Sequence, residues 1–453
     1  MNEKEMLMEK KKTFVKLNRS DFLLLFSNDI VPMNQVMTVR FKTKQSVDEV
    51  RSAARYMLSM YPRLRALIVP TLFCYRFQIL DDQDPRVDIL FNDAFRVKRN
   101  VEYGTEEFAR YRRELMNEPS LLESRFGVKF HFLPDDPNPD LMVSFNHVIG
   151  DGMSMIIVIN SLMEYLNGKR PALLPLDNPS MKPVVLEKNP LKIPLQLLKS
   201  YILQGKESKR NKEDKIIEMT KSPADFFTTV NAYNKPFRFD LKPIQSKAKE
   251  LGFSVYILTS TALALSILRH TSEDRGDTVG ITISFDMRPY FGETRPVIGN
   301  YLKATVLRAR RKYFDRPFEL MKDLHEQMEA YRMRLERKEI LFPWMIEELQ
   351  KVIGRKMCAQ FVRGAKRSKL FRVTCQFTTL GKMDFLNAHG EKAQLCALIP
   401  GTAHFNPFIG MGPIEGAIQS FCSYQESDYT PDEMKALYVN FENELQRLMD
   451  LKP

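Results

Sequence analysis

The chain has 453 residues, long enough for two or three domains, and its 44% hydrophobic and 11% aromatic content marks a globular protein with a sizeable core. Its net charge of +12, from 68 basic against 56 acidic residues, favours anionic partners: nucleic acid, anionic lipid, coenzyme A phosphates or an acidic carrier protein. The basic residues are diluted along the chain and carry no RNP, KH or zinc-finger signature, which weighs against nucleic acid. The five cysteines are scattered with no CxxC pair, which argues against a disulfide framework or a zinc site and for a reducing compartment.

The opening MNEKEMLMEKKK is charged and holds no apolar run, so no secretory signal is expected. The longest apolar stretch, Tyr256–Leu268, is too short to span a bilayer. A cytoplasmic location is expected, with attachment to a membrane surface as the alternative. Leu17–Ser27 is a short apolar element, and Gln35–Phe41 alternates as a strand. Ser46 and Glu49 form a capping box that opens a helix with Val50, Ala53, Ala54, Met57 and Leu58 on one face. Tyr61-Pro62 ends that helix and Leu64–Val69 follows as a strand. Phe73–Leu80 and Val87–Phe91 read as strands, Thr105–Met116 as a helix, and Val128–Leu133 as a strand carrying His131 on its face.

Leu141–Met155, LMVSFNHVIGDGMSM, organises the chain. A buried strand runs to Phe145, turn formers fill Asn146–Gly152, and from Met153 the apolar spacing is helical, ending at Asn167-Gly168. His147 and Asp151 therefore sit in a strand–loop–helix junction of the form HxxxDG. A neutral histidine there accepts a proton at ordinary pH. Gly150 and Gly152 are expected to allow positive φ and close approach of a substrate. A capping or core histidine is the bland alternative, and residue type alone favours it.

Prolines cluster over residues 171–194 and a charged run, KESKRNKEDK, follows at 206–215, giving the best domain boundary. Within it Pro190–Gln204 reads as a helix packed on the body, with a membrane-surface helix as the competing reading. Beyond it come helices at Lys242–Leu251 and Val255–His270, strands at Val279–Phe285 and Lys303–Ala309, and a long helix at Phe318–Lys338. Ile340–Met357 is helical, with a basic cluster at 355–369 that reads first as a solvated face. Arg372–Phe377, Ala393–Leu398 and Ala417–Tyr424 are strands, and a helix over Asp432–Met449 closes the chain.

The HxxxDG junction, the YPRLRALI turn, the strand ending in Asp286-Met-Arg288-Pro289 before Ile298-Gly299-Asn300, and the strand entering Thr378-Thr379-Leu380-Gly381 together resemble the HxxxDG acyltransferase superfamily. That group includes chloramphenicol acetyltransferase, condensation domains, alcohol acetyltransferases, polyketide-associated acyltransferases and wax ester synthases. Many of those relatives read HHxxxDG, and here Asn146 occupies the first position.

The resemblance implies a mixed α/β fold of two chloramphenicol-acetyltransferase-like subdomains in a V, with a tunnel between them and His147 in its middle. The division expected is 1–175, a 176–219 crossover, and 220–453. His147 is the implied general base, Asp151 and Gly152 shape its loop, and Arg288 ion-pairs with Asp151. Thr378 or Thr379 is the candidate donor to an oxyanion or contact to the acceptor. The implied chemistry is direct acyl transfer from an acyl-CoA or acyl carrier protein, as co-substrate, to an alcohol. It needs no metal and no bound cofactor. A free-standing amide-forming condensation domain and a non-catalytic acyl-chain or partner-binding member are the alternatives. An acidic carrier protein or an anionic membrane surface are further partners to consider, and the acceptor is a small-molecule or lipid alcohol or amine.

Overall fold

A computed structural model describes residues 13–452 except 72–73, 175, 177–178, 220–228, 292–295, 368–372 and 405, and omits the side chains of 347, 349–353, 362 and 365–367. The first half supplies strands β1 (Thr13–Lys16), β2 (Asn34–Phe41), β3 (Ala66–Pro70), β4 (Tyr75–Ile79), β5 (Phe95–Val97), β6 (Val128–Leu133) and β7 (Asp140–Asn146). The second supplies β8 (Val230–Pro236), β9 (Thr278–Asp286), β10 (Leu302–Arg310), β11 (Cys375–Thr379), β12 (Leu395–Ile399), β13 (Phe408–Ile414) and β14 (Ala417–Gln425). They form a five-stranded sheet β12-β2-β7-β6-β5, a six-stranded sheet β10-β9-β11-β13-β14-β8, and a small sheet β1-β4-β3. Both large sheets mix parallel and antiparallel pairs.

Each large sheet is half of a layered lobe. In the first, the helix Val47–Met60 lays Val50, Ala53, Ala54, Met57 and Leu58 into one core with Val143 and Phe145 of β7 and Ile156, Ile159 and Leu162 of the helix Gly152–Leu166. In the second, the helices Val255–Arg269 and Pro431–Met449 bury against Val279, Ile281, Phe377 and Ile409. Burial of each such side chain contributes roughly 1.5–3 kcal/mol. The Ser46–Glu49 capping box opens the first of these helices as the sequence implies.

Three local expectations change. Val87–Phe91 is part of a helix, Pro85–Ala94, because Asp84 caps it with Pro85 in the first turn, and Val87, Phe91 and Ala94 fall on one helical face. The strand β13, FIGMGPI, carries too much glycine and proline to read as one. Gly410 is required there because a Cβ would fall on the Phe421 ring of β14. The helix over 190–204 begins at Ile193 and continues through the charged run to Arg210.

The expected division of the chain is also crossed. β12 lies within the 220–453 half but pairs antiparallel with β2 at the edge of the first lobe's sheet, Leu395 opposite Phe41 and Ile399 opposite Thr38. Arg112, fully buried, donates to the carbonyls of Ile399 and Pro400 and fastens this strap. The two lobes are thus tied by backbone hydrogen bonds as well as by side chains.

Candidate active site

β7 delivers the site. All its residues are buried, and it ends at Asn146. Asn146 Nδ2 donates to Asn28 Oδ1 (2.9 Å), Ser120 Oγ (2.9 Å) and Asn34 Oδ1 (3.2 Å), while its Oδ1 accepts from Val148 N (3.0 Å). Asn146 is therefore a buried anchor for the start of the loop. The next residue, His147, donates its backbone N–H to Met33 O at 2.7 Å.

At the far end of the loop Asp151 is the N-cap of the helix Gly152–Leu166. Its Oδ1 accepts from Ser154 N (2.9 Å), Ser154 Oγ (3.0 Å) and Arg288 Nη2 (2.8 Å). Its Oδ2 accepts from Arg288 Nη1 (3.1 Å) and Tyr301 N (3.0 Å). Burial pushes the Asp151 carboxyl up, but Arg288 and the two backbone donors outweigh it and hold the carboxyl below its usual value. Burial also disfavours the Arg288 charge, which Asp151 and Asp286 restore and raise. An ionised carboxylate with both oxygens filled by donors is a structural anion; it has no free lone pair with which to move a proton.

Arg288 comes from the second lobe, just after β9, and also donates to Val297 O, Gly299 O and Asp286 Oδ1. The Asp151–Arg288 pair thus joins the lobes directly behind the HxxxDG loop. From the same β9–β10 connection comes Asn300, which decides the state of His147. Asn300 Nδ2 lies 2.9 Å from Asp21 Oδ1, 2.8 Å from His147 O and 3.2 Å from Val148 O. Those are three acceptors, so that atom is the amide NH2 and the other is the carbonyl oxygen. The Asn300 Oδ1 faces His147 Nδ1 at 3.1 Å. An oxygen there can only accept, so Nδ1 carries the hydrogen. The Nε2 lone pair is left as the proton acceptor. Burial lowers the imidazole pKa, and the pull of Asp151 and Asn300 in the other direction does not offset it. The ring is neutral at ordinary pH.

Asp21 is itself held. It is fully buried and pairs with Arg63 at 2.6 Å, and Arg63 Nε donates to Ile149 O at 2.7 Å. Arg63 lies in the YPRLRALI turn, whose contribution is this clamp on the loop backbone. Gln35 Nε2 holds Gly150 O at 2.9 Å from the other side.

The two loop glycines act differently from expectation. Neither Gly150 nor Gly152 has positive φ. At Gly150 a Cβ would stand 2.7 Å from Ser154 Cβ and 2.9 Å from the Phe145 ring, so the demand is steric. At Gly152 the nearest atom would be Gln35 Oε1 at 3.6 Å, an ordinary contact. Positive φ falls instead on Gly299, at 153°, immediately before Asn300.

Thr378 and Thr379 end β11 and are half-buried, and Leu380 after them packs against the first lobe's core. Among the described residues no hydrogen bond links either hydroxyl to His147, Asp151 or Asn300. Arg355 of the basic cluster is not a loose cation: it pairs with Asp29 and with Glu123 (3.1 Å). Lys369 lies outside the described residues.

A cavity of about 320 Å³ opens beside this network, lined by residues of both lobes and the crossover, among them Lys16, Asn18, Arg19, Met181, Asn300, Tyr301, Lys303 and Trp344. It reaches Asn300, the ring's partner, and His147 is not among its walls. Sequence reasoning placed His147, Asp151 and Arg288 in the site and passed over Asn300, Asp21, Arg63 and Ser154. Asn300 and Arg63 sat inside segments already singled out. Asp21 has a local partner in Asn18, the cap of its helix, but the partners that bring it into the site are 42 and 279 residues away.

No protein-family model matches the chain, and no curated protein matches it in sequence. Solved structures do match. The first condensation domain of the CDA synthetase aligns over 97% of this chain and 96% of its own, with a TM-score of 0.71 at 12% identity. The TRI3 trichothecene 15-O-acetyltransferase from Fusarium sporotrichioides aligns over 96% and 95%, with a TM-score of 0.69 at 13% identity. The chain has the chloramphenicol-acetyltransferase-like fold. The epimerization domain of tyrocidine synthetase B shares this fold with the chain over 97% of each, at a TM-score of 0.62. The likeness at these identities is one of fold.

Proposed function

We propose that this protein moves an acyl group from a thioester to an alcohol, with His147 as general base. The observation that carries the reading is the tautomer set by Asn300: Nδ1–H engaged, Nε2 open, the ring held neutral by burial. Proton transfer by such a group contributes about 10²–10⁴-fold in rate. His147 Nε2 takes the acceptor's hydroxyl proton as its oxygen attacks the thioester carbonyl. The tetrahedral oxyanion that forms is stabilised by a hydroxyl of the Thr378–Thr379 turn. It collapses with cleavage of the C–S bond, and the imidazolium returns the proton to the departing thiolate. Asp151 and Arg288 hold the loop and the lobes in register without exchanging protons.

The donor is an acyl-CoA or an acyl carrier protein. Amide formation is the second reading, and condensation domains among the structural neighbours favour it. Purified protein is incubated with a panel of acyl-CoAs and with alcohol and amine acceptors, scoring free thiol and product mass. Acceptor-dependent thiol release with an ester product, lost in His147→Ala while the fold persists, is expected. An amide product assigns the second reading. Undiminished release in His147→Ala removes the general-base role.

A further inference from the structure

The helix Ile193–Arg210 carries apolar side chains on two faces. Its inward face packs Ile193 and Leu197 on a buried cluster and is held by polar side chains. Gln196 Nε2 donates to Val185 O and to Lys338 O, both at 2.7 Å, and Ser200 Oγ donates to Glu339 O at 2.9 Å while accepting from Phe342 N at 3.0 Å. Leu191, in the turn just before it, with Leu195, Leu198 and Ile202, faces away. Their exposures are 89%, 68%, 54% and 46%, and Tyr201 beside them is 57% exposed.

At about 100° per residue the four aliphatic positions share a sector roughly 60° wide, while Gln196 and Ser200 fall about 140–180° from its reference position. Lys192, Lys199 and Lys206, seven residues apart, run along one flank of the stripe, and Lys199 also pairs with Glu339 at 2.6 Å. The sequence reading had this helix packing on the body. It does pack there, through Gln196 and Ser200 with Ile193 and Leu197 beside them, which leaves Leu195, Leu198 and Ile202 outward.

We propose that this face docks on an anionic lipid bilayer, with the leucine stripe entering the headgroup–acyl boundary and the lysine row meeting lipid phosphates. An exposed, contiguous apolar stripe marks an interaction surface. Charge complementarity selects the occupant: the lysine flank and a net charge of +12 suit an anionic surface, whereas a second copy brings a second lysine row to the same contact. Among the described residues no single helix is long and apolar enough to cross a membrane, so the helix lies on the surface.

The C-terminal part of its inward face, with Gln204, Glu207 and Asn211, forms a wall of a cavity of about 600 Å³ beside the free edge of β10. That cavity shares Arg19, Leu302 and Lys303 with the one reaching Asn300. The docking itself does not depend on the acyl-transfer reading.

The full chain is floated with vesicles of phosphatidylcholine alone and of phosphatidylcholine with about one third phosphatidylserine. Wild type is expected to float with the anionic vesicles and much less with the neutral ones. Leu195→Asp/Leu198→Asp should stay in the dense fraction with unchanged circular dichroism and thermal midpoint, since both positions face solvent. Lys192→Glu/Lys206→Glu should lose the preference for anionic lipid, with Lys199 left paired to Glu339. Three results overturn the proposal: wild type ignoring both vesicles, the leucine variant floating like wild type, or light scattering showing a dimer that the leucine variant dissolves without any flotation. The last assigns the stripe to a second copy of the chain.

Discussion

Asn300 turns its carbonyl oxygen to His147 Nδ1 at 3.1 Å because its amide nitrogen is committed to Asp21 Oδ1 and to two backbone carbonyls of the HxxxDG loop. One side chain from the second lobe thus fixes both the ring's tautomer and the backbone beneath it. Asn300→Ala is expected to lower kcat for thioester cleavage, toward but not to the level of His147→Ala, whose loss should be about 10²–10⁴-fold. The KM for the thioester should move little. ¹⁵N NMR of the His147 imidazole separates a tautomer effect from a structural one: the wild-type ring should show a protonated Nδ1, and the variant a mixture. An unchanged ring spectrum with lowered kcat assigns Asn300 a purely structural role.

The pH profile follows from the same ring. Burial lowers the His147 pKa below its ordinary value of about 6.5. A base works only while deprotonated, so activity should be full at neutral pH and fall as pH drops through a value below about 6.5. Asp151 pulls the imidazole pKa upward, so Asp151→Asn should move that acid limb lower still. A limb above about 6.5 in the wild type would mean that the titrating group is not this histidine or that its burial is relieved when substrate binds.

Much of the first lobe was readable because its signals are local. The Ser46–Glu49 box, the apolar face after it and the strand–loop–helix junction at 141–166 each announce themselves within a few residues. Arg288 was reachable only through the family resemblance, since in isolation it reads as a surface arginine, yet its side chain is 12% exposed. β13 and the crossing of β12 were not readable. The first is broken by glycines that the Phe421 ring and the Leu398 carbonyl of β12 explain, and the second pairs with a strand more than three hundred residues earlier. Helix orientation was equally hidden at Ile193–Arg210. Periodicity shows an apolar stripe but not that Gln196 and Ser200 on the other side would take the inward bonds.

The Asp151–Arg288 pair makes a stability prediction with a sign. Asp151 is fully buried and Arg288 nearly so, and removing either leaves the other uncompensated. Asp151→Ala and Arg288→Ala should each cost about 3–5 kcal/mol in urea unfolding. Because the Asp151 carboxyl is held below its usual value, its contribution is complete above the unfolded-state pKa. That contribution fades as pH falls through the folded-state value, so the gap between wild type and Asp151→Ala should narrow in acid. Unchanged unfolding midpoints in both variants would show that the pair does not hold the lobes.

The two loop glycines separate stability from catalysis. Alanine at 150 drives a methyl group into Ser154 Cβ at 2.7 Å and the Phe145 ring at 2.9 Å. Ser154 is bonded to Asp151 and to Gly299, so it has little freedom to yield. Gly150→Ala should therefore destabilise by about 1–3 kcal/mol and disturb the loop that carries His147. Alanine at 152 meets only Gln35 Oε1 at 3.6 Å, with ordinary φ and a first-turn helical position that tolerates it. Gly152→Ala should unfold at the wild-type urea concentration. If Gly152 keeps the donor's path open, this variant loses thioester turnover at full stability, with the loss in KM or in kcat/KM for the longer acyl chains. If turnover is also unchanged, the residue is a helix start and nothing more, and the donor approaches His147 from another side.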